Sequence, residues 1–398
     1  MTLRLLMGIV GSIIYFSLFA SGKYGVYFIL FFPYYLSNVF DCSWIYVGLE
    51  NMLPCVLKNS IAKLVTVFGI FAFVKNESDI GIYIALVACS SLFANLSVYT
   101  QLKGIIKKPS IRKKMVLKHL SGSIVLFLPQ LASLLYLQMD KAMIEWLTGA
   151  TNELSFYDQA EKIIVIALSC VTALSTVMMP RIAIEFKKGN KETVERYINL
   201  AGKYSMTLAC PMAFGIACIS LQLVPWYLGR DYLPTAYAMI IISPIVIGNS
   251  LIAVSGKQFL TATNKMLALT LANSLAAVAN LLFNLFLIPK YGFIGAAIAT
   301  DVACLMNVII QYYYMGKEIK ISSIFINMVR YVFFAMIMSV IILLCTRFVL
   351  INPTIWTTIT QILIGIVVYG ACLFVSKDPI LIKVKEVVGN RIHKTRSK

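Results

Sequence analysis

The chain has 398 residues, 60% of them hydrophobic and 13% charged, with a net charge of +18 and a mean hydropathy of +0.83. Soluble domains are about half apolar and about a quarter charged, so a water-soluble globule of this size is excluded and lipid is the natural solvent. With two histidines and nine cysteines in no close-spaced pair, neither a His-based metal site nor a nucleophile–base pair is supported.

A spanning helix needs ~20 mostly apolar residues. Twelve candidate spans follow in chain order: 5–21, 24–47, 56–74, 80–102, 120–147, 155–179, 199–219, 232–255, 266–288, 292–315, 325–346 and 354–376. The runs are too long and too continuously apolar for barrel strands, which alternate over ~10 residues. They predict an all-α polytopic membrane protein. The first run has a poor cleavage context at Ala20-Ser21-Gly22-Lys23 and is expected to stay in place as a span.

Basic residues concentrate in alternate loops. The fourth loop holds Lys103, Lys107, Lys108, Arg112, Lys113, Lys114 and Lys118, and the tail adds Lys377 through Lys398. The sixth loop adds Arg181, Lys187, Lys188, Lys191 and Arg196. The odd-numbered loops carry only Lys23, Lys75, Arg230, Lys290 and Arg347. Both termini are therefore expected in the cytoplasm, with Trp146, Trp226 and Trp356 as outer interfacial anchors. Residues 181–203, where Glu185, Glu192 and Glu195 alternate with bases, read as one cytoplasmic amphipathic helix. The basic loops read as orientation signals with some attraction for anionic headgroups, and no nucleic-acid partner is expected.

Ionisable groups inside spans cost roughly 2.5–3.5 kcal/mol each on insertion scales and usually face a cavity. The fifth span places Gln130, Ser133, Tyr136 and Asp140 at spacings of three and four, on one helical face. Lys141 and Glu145 follow, and Pro129 is expected to break a backbone hydrogen bond. The sixth span offers Asp158, Glu161 and Lys162, with Asp158 and Lys162 spaced as an i,i+4 ion pair. Asp301 in the tenth span lies near the same depth, and Asp41 lies toward the other end of the second. These residues predict a polar cavity with paired charges. Structural salt bridges with snorkelling lysines are the plainer alternative. Gly292, Gly295, Ala296, Ala297 and Ala299 read as a close-packing face. Asn280 and Asn284 read as interhelical hydrogen-bonding groups.

No phosphate loop, catalytic carboxylate pair or nucleophile elbow is present, so an enzyme is not expected and no cofactor is implied. The motifs Asp41-Cys42-Ser43-Trp44, Phe127-Leu128-Pro129-Gln130 and Met139-Asp140-Lys141-Ala142 are followed by Tyr157-Asp158-Gln159-Ala160-Glu161-Lys162, Met179-Pro180-Arg181, Val224-Pro225-Trp226 and Asn284 through Gly292. Together they make the chain resemble the oligosaccharide repeat-unit flippases (Wzx-type), the polysaccharide transporters of the multidrug/oligosaccharidyl-lipid/polysaccharide (MOP) superfamily.

The resemblance implies a bilobal helical bundle that moves undecaprenyl-pyrophosphate-linked oligosaccharide by alternating access across the bacterial plasma membrane. Membrane lipids and a polysaccharide polymerase complex are its implied partners. Residues 1–118 would be the N-terminal lobe, reduced to four helices because the family pattern has a helix pair before the first span. Residues 119–316 would be the C-terminal lobe, and 317–398 two further helices and a basic tail. Lys141, Lys162, Gln130 and Tyr136 would meet pyrophosphate and sugar. Asp140, Asp158, Glu161 and Asp301 would couple an ion or pair charge. The rivals are a multidrug or cation antiporter of the same superfamily and a membrane-embedded glycan polymerase or acyltransferase.

Overall fold

The structure, a computed structural model, describes residues 2–19, 22, 24–48, 53–98, 127, 131, 138–349 and 352–378. It is helical throughout, with no strand among the described residues. Among the described residues, seven helices are long and apolar enough to cross a membrane, and a bent pair brings the number to eight. The chain divides into two compact units, Met1–Ile124 and Val125–Lys398.

The first unit contains α1 (Thr2–Phe19), α2 (Gly25–Val39), α3 (Ser43–Gly48), α4 (Leu53–Phe73) and α5 (Ile80–Ser97). The second span expected from the sequence is interrupted at Phe40–Cys42. There Asp41 accepts the Ser43 N–H at 3.0 Å and so starts α3 as a new helix. Before α5, Asp79 accepts the Lys75 and Asn76 N–H groups at 3.0 Å each. These two bonds hold its carboxyl below the usual range.

The second unit contains α6 (138–148), α7 (Thr151–Lys187), α8 (Lys191–Tyr227), α9 (Leu233–Ile242) and α10 (Ile245–Ile252). It continues with α11 (Met266–Tyr291), α12 (Phe293–Gly316), α13 (Ser322–Phe348) and α14 (Ile355–Val375). Its buried core draws on nearly all of these helices, including Ile144, Tyr157, Met206, Met239, Phe259, Ala297 and Tyr331.

Two sequence expectations are corrected here. Residues 181–203 are not one helix. α7 runs on through Pro180 to Lys187, and the chain turns at Gly189, whose φ of 75° suits a residue without Cβ. Asn190 then caps α8 by accepting the Thr193 N–H. The eighth span, 232–255, is also not straight. It bends by 46° between the segments Arg230–Ile242 and Ile245–Leu260. Pro244 falls in that break, where it has no N–H to continue the ladder, and the second segment ends in a π-helix, Ala253–Leu260.

The small-residue face does close a helix hairpin. Gly295, Ala296, Ala297 and Ala299 are buried on α12, and a Cβ on Gly295 would stand 2.4 Å from the Leu287 carbonyl oxygen of α11. Gly292 makes the turn between the two helices at φ 57°. Glu153 of α7 accepts the Phe293 N–H at 3.0 Å, an acidic side chain at the positive end of α12.

Candidate substrate and ion sites

In the first unit, two lysines lie within the third span, a signal the sequence reading passed over. Lys58 is 3% exposed at its side chain. It donates to Asp41 Oδ1 at 3.2 Å, Ser43 Oγ at 2.8 Å and Asn95 Oδ1 at 2.6 Å. Asn95 in turn donates to the Ser37 carbonyl, and Arg4 donates to the Asp41 carbonyl. The buried ammonium is thus fully partnered, as burial of a charge demands.

Lys63 differs. It is exposed and takes part in no ion pair among the described residues. As the eleventh residue of the 21 in α4, it sits near the middle of a helix ~32 Å long. Its helix neighbours Leu64, Val65 and Phe68 are exposed apolar residues. Lys63 lines a cavity of about 430 Å³ walled by α2, α4 and α5. Tyr34, Asn38, Asn59, Thr66, Ser90 and Ser91 supply hydroxyls and amides there, and no carboxylate lines it. These residues recur at helical spacing, so each helix turns one polar face inward.

In the second unit, the charged residues predicted from α6 and α7 meet. Lys141 Nζ lies 2.7 Å from both Asp158 Oδ1 and Glu161 Oε2, and Lys162 Nζ lies 2.7 Å from Asp158 Oδ2. Two cations and two carboxylates therefore neutralise one another. Asp140 points away from this group into the core and is 1% exposed. It accepts from Tyr157 at 2.8 Å, from Asn284 at 2.5 Å and from Thr300. Asn284 also donates to Asn280 Oδ1 at 3.1 Å, so the two α11 asparagines extend the hydrogen-bonded network around Asp140. Asn284 Oδ1 and Asn280 Nδ2 remain buried without a hydrogen-bond partner. A cavity of about 40 Å³ adjoins Asp140, Tyr157, Glu161, Asn249 and Thr300, room for about one water-sized occupant.

Asp301 does not join this network. One of its carboxylate oxygens is buried without a partner. Gln130, Tyr136 and Pro129 lie outside the described residues. The three tryptophans expected as anchors divide: Trp146 and Trp356 are 76% and 74% exposed, whereas Trp226 donates to Thr358 Oγ1 at 2.9 Å and ties α8 to α14.

Apolar helices, polar groups turned into their interior and a buried hydrogen-bonded carboxylate define a multi-pass helical membrane protein. The fold is similar to a lipid II flippase MurJ in an inward closed conformation, with a TM-score of 0.69 and 18% identity over 95% of this chain and 81% of that one. It is also similar to an outward-facing multidrug resistance MATE family transporter of the MOP superfamily, with a TM-score of 0.58 and 14% identity over 79% and 76% of the two chains. Within that fold, residues 5–186 match the family described as Polysaccharide biosynthesis protein.

A relative named probable low-salt glycan biosynthesis flippase Agl15, from Haloferax volcanii, is 25% identical over 252 residues, covering 60% of this chain and 52% of its own. An uncharacterized membrane protein, MJ1068 of Methanocaldococcus jannaschii, is 23% identical over 217 residues, covering 54% and 42%. The chain thus spans about half the length of these curated relatives.

Proposed function

We propose that this protein translocates lipid-linked oligosaccharide across the membrane, and that it is a carrier rather than an enzyme. The observation that carries the reading is Lys63, an unpaired cation near the middle of a spanning helix in a cavity of hydroxyls and amides. A lysine at that depth is costly in lipid, but it suits a wet chamber that receives an anionic, hydroxyl-rich head group while a prenyl tail stays among acyl chains. The similarity to a glycan biosynthesis flippase and the match to polysaccharide biosynthesis proteins support the same substrate class. The finer reading is an undecaprenyl pyrophosphate carrier lipid in a bacterial plasma membrane, with both termini cytoplasmic and a polysaccharide polymerase downstream. Lys141 and Lys162 contribute to head-group binding only when their carboxylate partners release them.

Asp140 supplies the coupling step in this reading. Its carboxylate and the Thr300 and Tyr157 hydroxyls border the small cavity with Asn249 and supply hard oxygen ligands for a small cation. The same site gives weight to a cation antiporter as the second reading.

Proteoliposomes carrying a prenyl-pyrophosphate-linked oligosaccharide in one leaflet test the proposal. Addition of the purified chain is expected to expose the glycan to a lectin on the opposite side. An antiporter would instead accumulate a cationic dye and leave the glycan where it was placed.

A further inference from the structure

Near the start of α8, a cavity of about 610 Å³ opens between that helix and α13, lined by Arg196, Tyr197, Asn199, Lys203, Ser323 and Asn327 among others. Arg196 and Lys203 are seven residues apart, two turns of the same face. Neither is in an ion pair among the described residues, and no carboxylate lines the cavity. Several other cations at this end of the unit are in ion pairs: Lys188 with Glu185, Lys191 and Lys265 sharing Glu318, and Arg330 with Asp378. Glu195, the nearest acidic side chain by sequence, is engaged by the Lys320 N–H at 3.1 Å.

The polar floor is already built. Ser323 donates to Asn199 Oδ1 at 2.6 Å, and Asn327 donates to the Ser323 carbonyl at 2.7 Å. The Arg196 guanidinium rests 5.9 Å from the centre of the Tyr197 ring, which limits where it can point.

Depth decides the ligand. Lys203 and Trp226 are separated by ~35 Å along α8 at 1.5 Å per residue, a little more than the ~30 Å hydrocarbon thickness of a bilayer. With the exposed Trp356 and the adjoining Trp226 at one interface, Lys203 lies at headgroup level on the other. Leu208, just over one turn deeper, is 44% exposed and offers apolar surface for an acyl chain.

We propose that this cavity binds the phosphate of an anionic phospholipid in the leaflet at that end of the bundle. The phosphate joins Arg196 and Lys203, bracing α13 against α8. This is a lipid site separate from the path of the transported glycan and independent of it.

The test uses the purified full chain in nanodiscs of phosphatidylcholine with a minor fraction of phosphatidylglycerol, with lipid retained on the released protein counted by native mass spectrometry. Wild type is expected to retain phosphatidylglycerol. The Arg196→Gln/Lys203→Gln variant should retain it roughly thirtyfold more weakly, about fivefold per cation. Arg196→Lys/Lys203→Arg keeps both charges and should stay near wild type, which separates lost binding from lost folding. Lys187→Gln/Lys188→Gln removes equal charge nearby and should change nothing. Equal retention by wild type and the Gln double variant would overturn the proposal, as would equal loss in the Lys187/Lys188 control. Displacement of the lipid by inorganic phosphate would assign the cavity to a soluble anion and overturn it too.

Discussion

The two units treat charge within the membrane differently. In the second unit, Lys141 and Lys162 meet Asp158 and Glu161 at 2.7 Å, and Asp140 is enclosed by hydroxyls and amides. The first unit neutralises Lys58 with Asp41 but leaves Lys63 open to a cavity without a carboxylate. A neutral cluster is a scaffold, or a lock that opens on a signal. A free cation facing hydroxyls is a place for an anion to land. On the proposed function, the second unit would handle a cation and the first would recognise the head group.

The largest expected effect comes from reversing the free charge. Lys63→Glu should reduce glycan transfer at least ~100-fold, because unlike charges at ~4 Å are worth about 4 kcal/mol at an effective dielectric near 20 and like charges oppose by as much. Lys63→Arg should keep most of the transfer. Glycan output of a host lacking its own flippase measures both, and undiminished output with Lys63→Glu would erase the distinction between the units. Next comes Asp140→Asn, which removes the charge from the network and keeps its shape. It should lower transfer roughly tenfold or more and abolish its dependence on a cation gradient, since each hydrogen bond to a charged acceptor contributes ~1.5–3 kcal/mol.

Lys58→Met should act on stability rather than transport, costing on the order of 1–3 kcal/mol. It takes a donor from Ser43 and Asn95 and the nearer cation from Asp41, which keeps Arg4 at 3.8 Å. Thermal unfolding in detergent reads this loss, and adding Asp41→Asn should restore part of it. If Lys58→Met instead spared stability and stopped transport, Lys58 would belong with Lys63 as a binding group.

The smallest effect lies at the end of the second unit. The hydrogen bond from the Lys265 ammonium holds Glu318 below the usual carboxylate range. A carboxylate with a depressed pKa contributes stability above its unfolded pKa, and that contribution is lost as pH falls through the folded value. Unfolding midpoints should therefore show a modest acid-dependent drop below about pH 4.5, and Lys265→Gln should flatten it.

The helices were legible in the sequence because lipid imposes one pattern, ~20 apolar residues with a self-satisfied backbone. The Asp158–Lys162 pair was legible from its spacing, and the proximity of Lys141 followed from the antiparallel neighbours α6 and α7. What escaped has physical reasons. Hydropathy averaging hid Lys58 and Lys63 inside an otherwise apolar run. The breaks at Gly189 and Pro244 depend on single residues that a span-length window smooths over. Asp140 and Asp301 looked alike as acids in spans, but only packing separates a carboxylate with three donors from one with a bare buried oxygen. Thr300 carries no charge and gave no signal, and Tyr157 entered only as the first residue of a motif, with no role of its own.

Cysteine accessibility at position 63 tests the central claim most directly. In a cysteine-free background, Lys63→Cys should react with a membrane-impermeant, negatively charged thiol reagent, and a prenyl-pyrophosphate-linked oligosaccharide should protect it. Leu64→Cys, one residue on and facing the apolar exterior, should stay unlabelled. Equal inertness at both positions, or labelling that the glycan lipid leaves unchanged, would contradict the account.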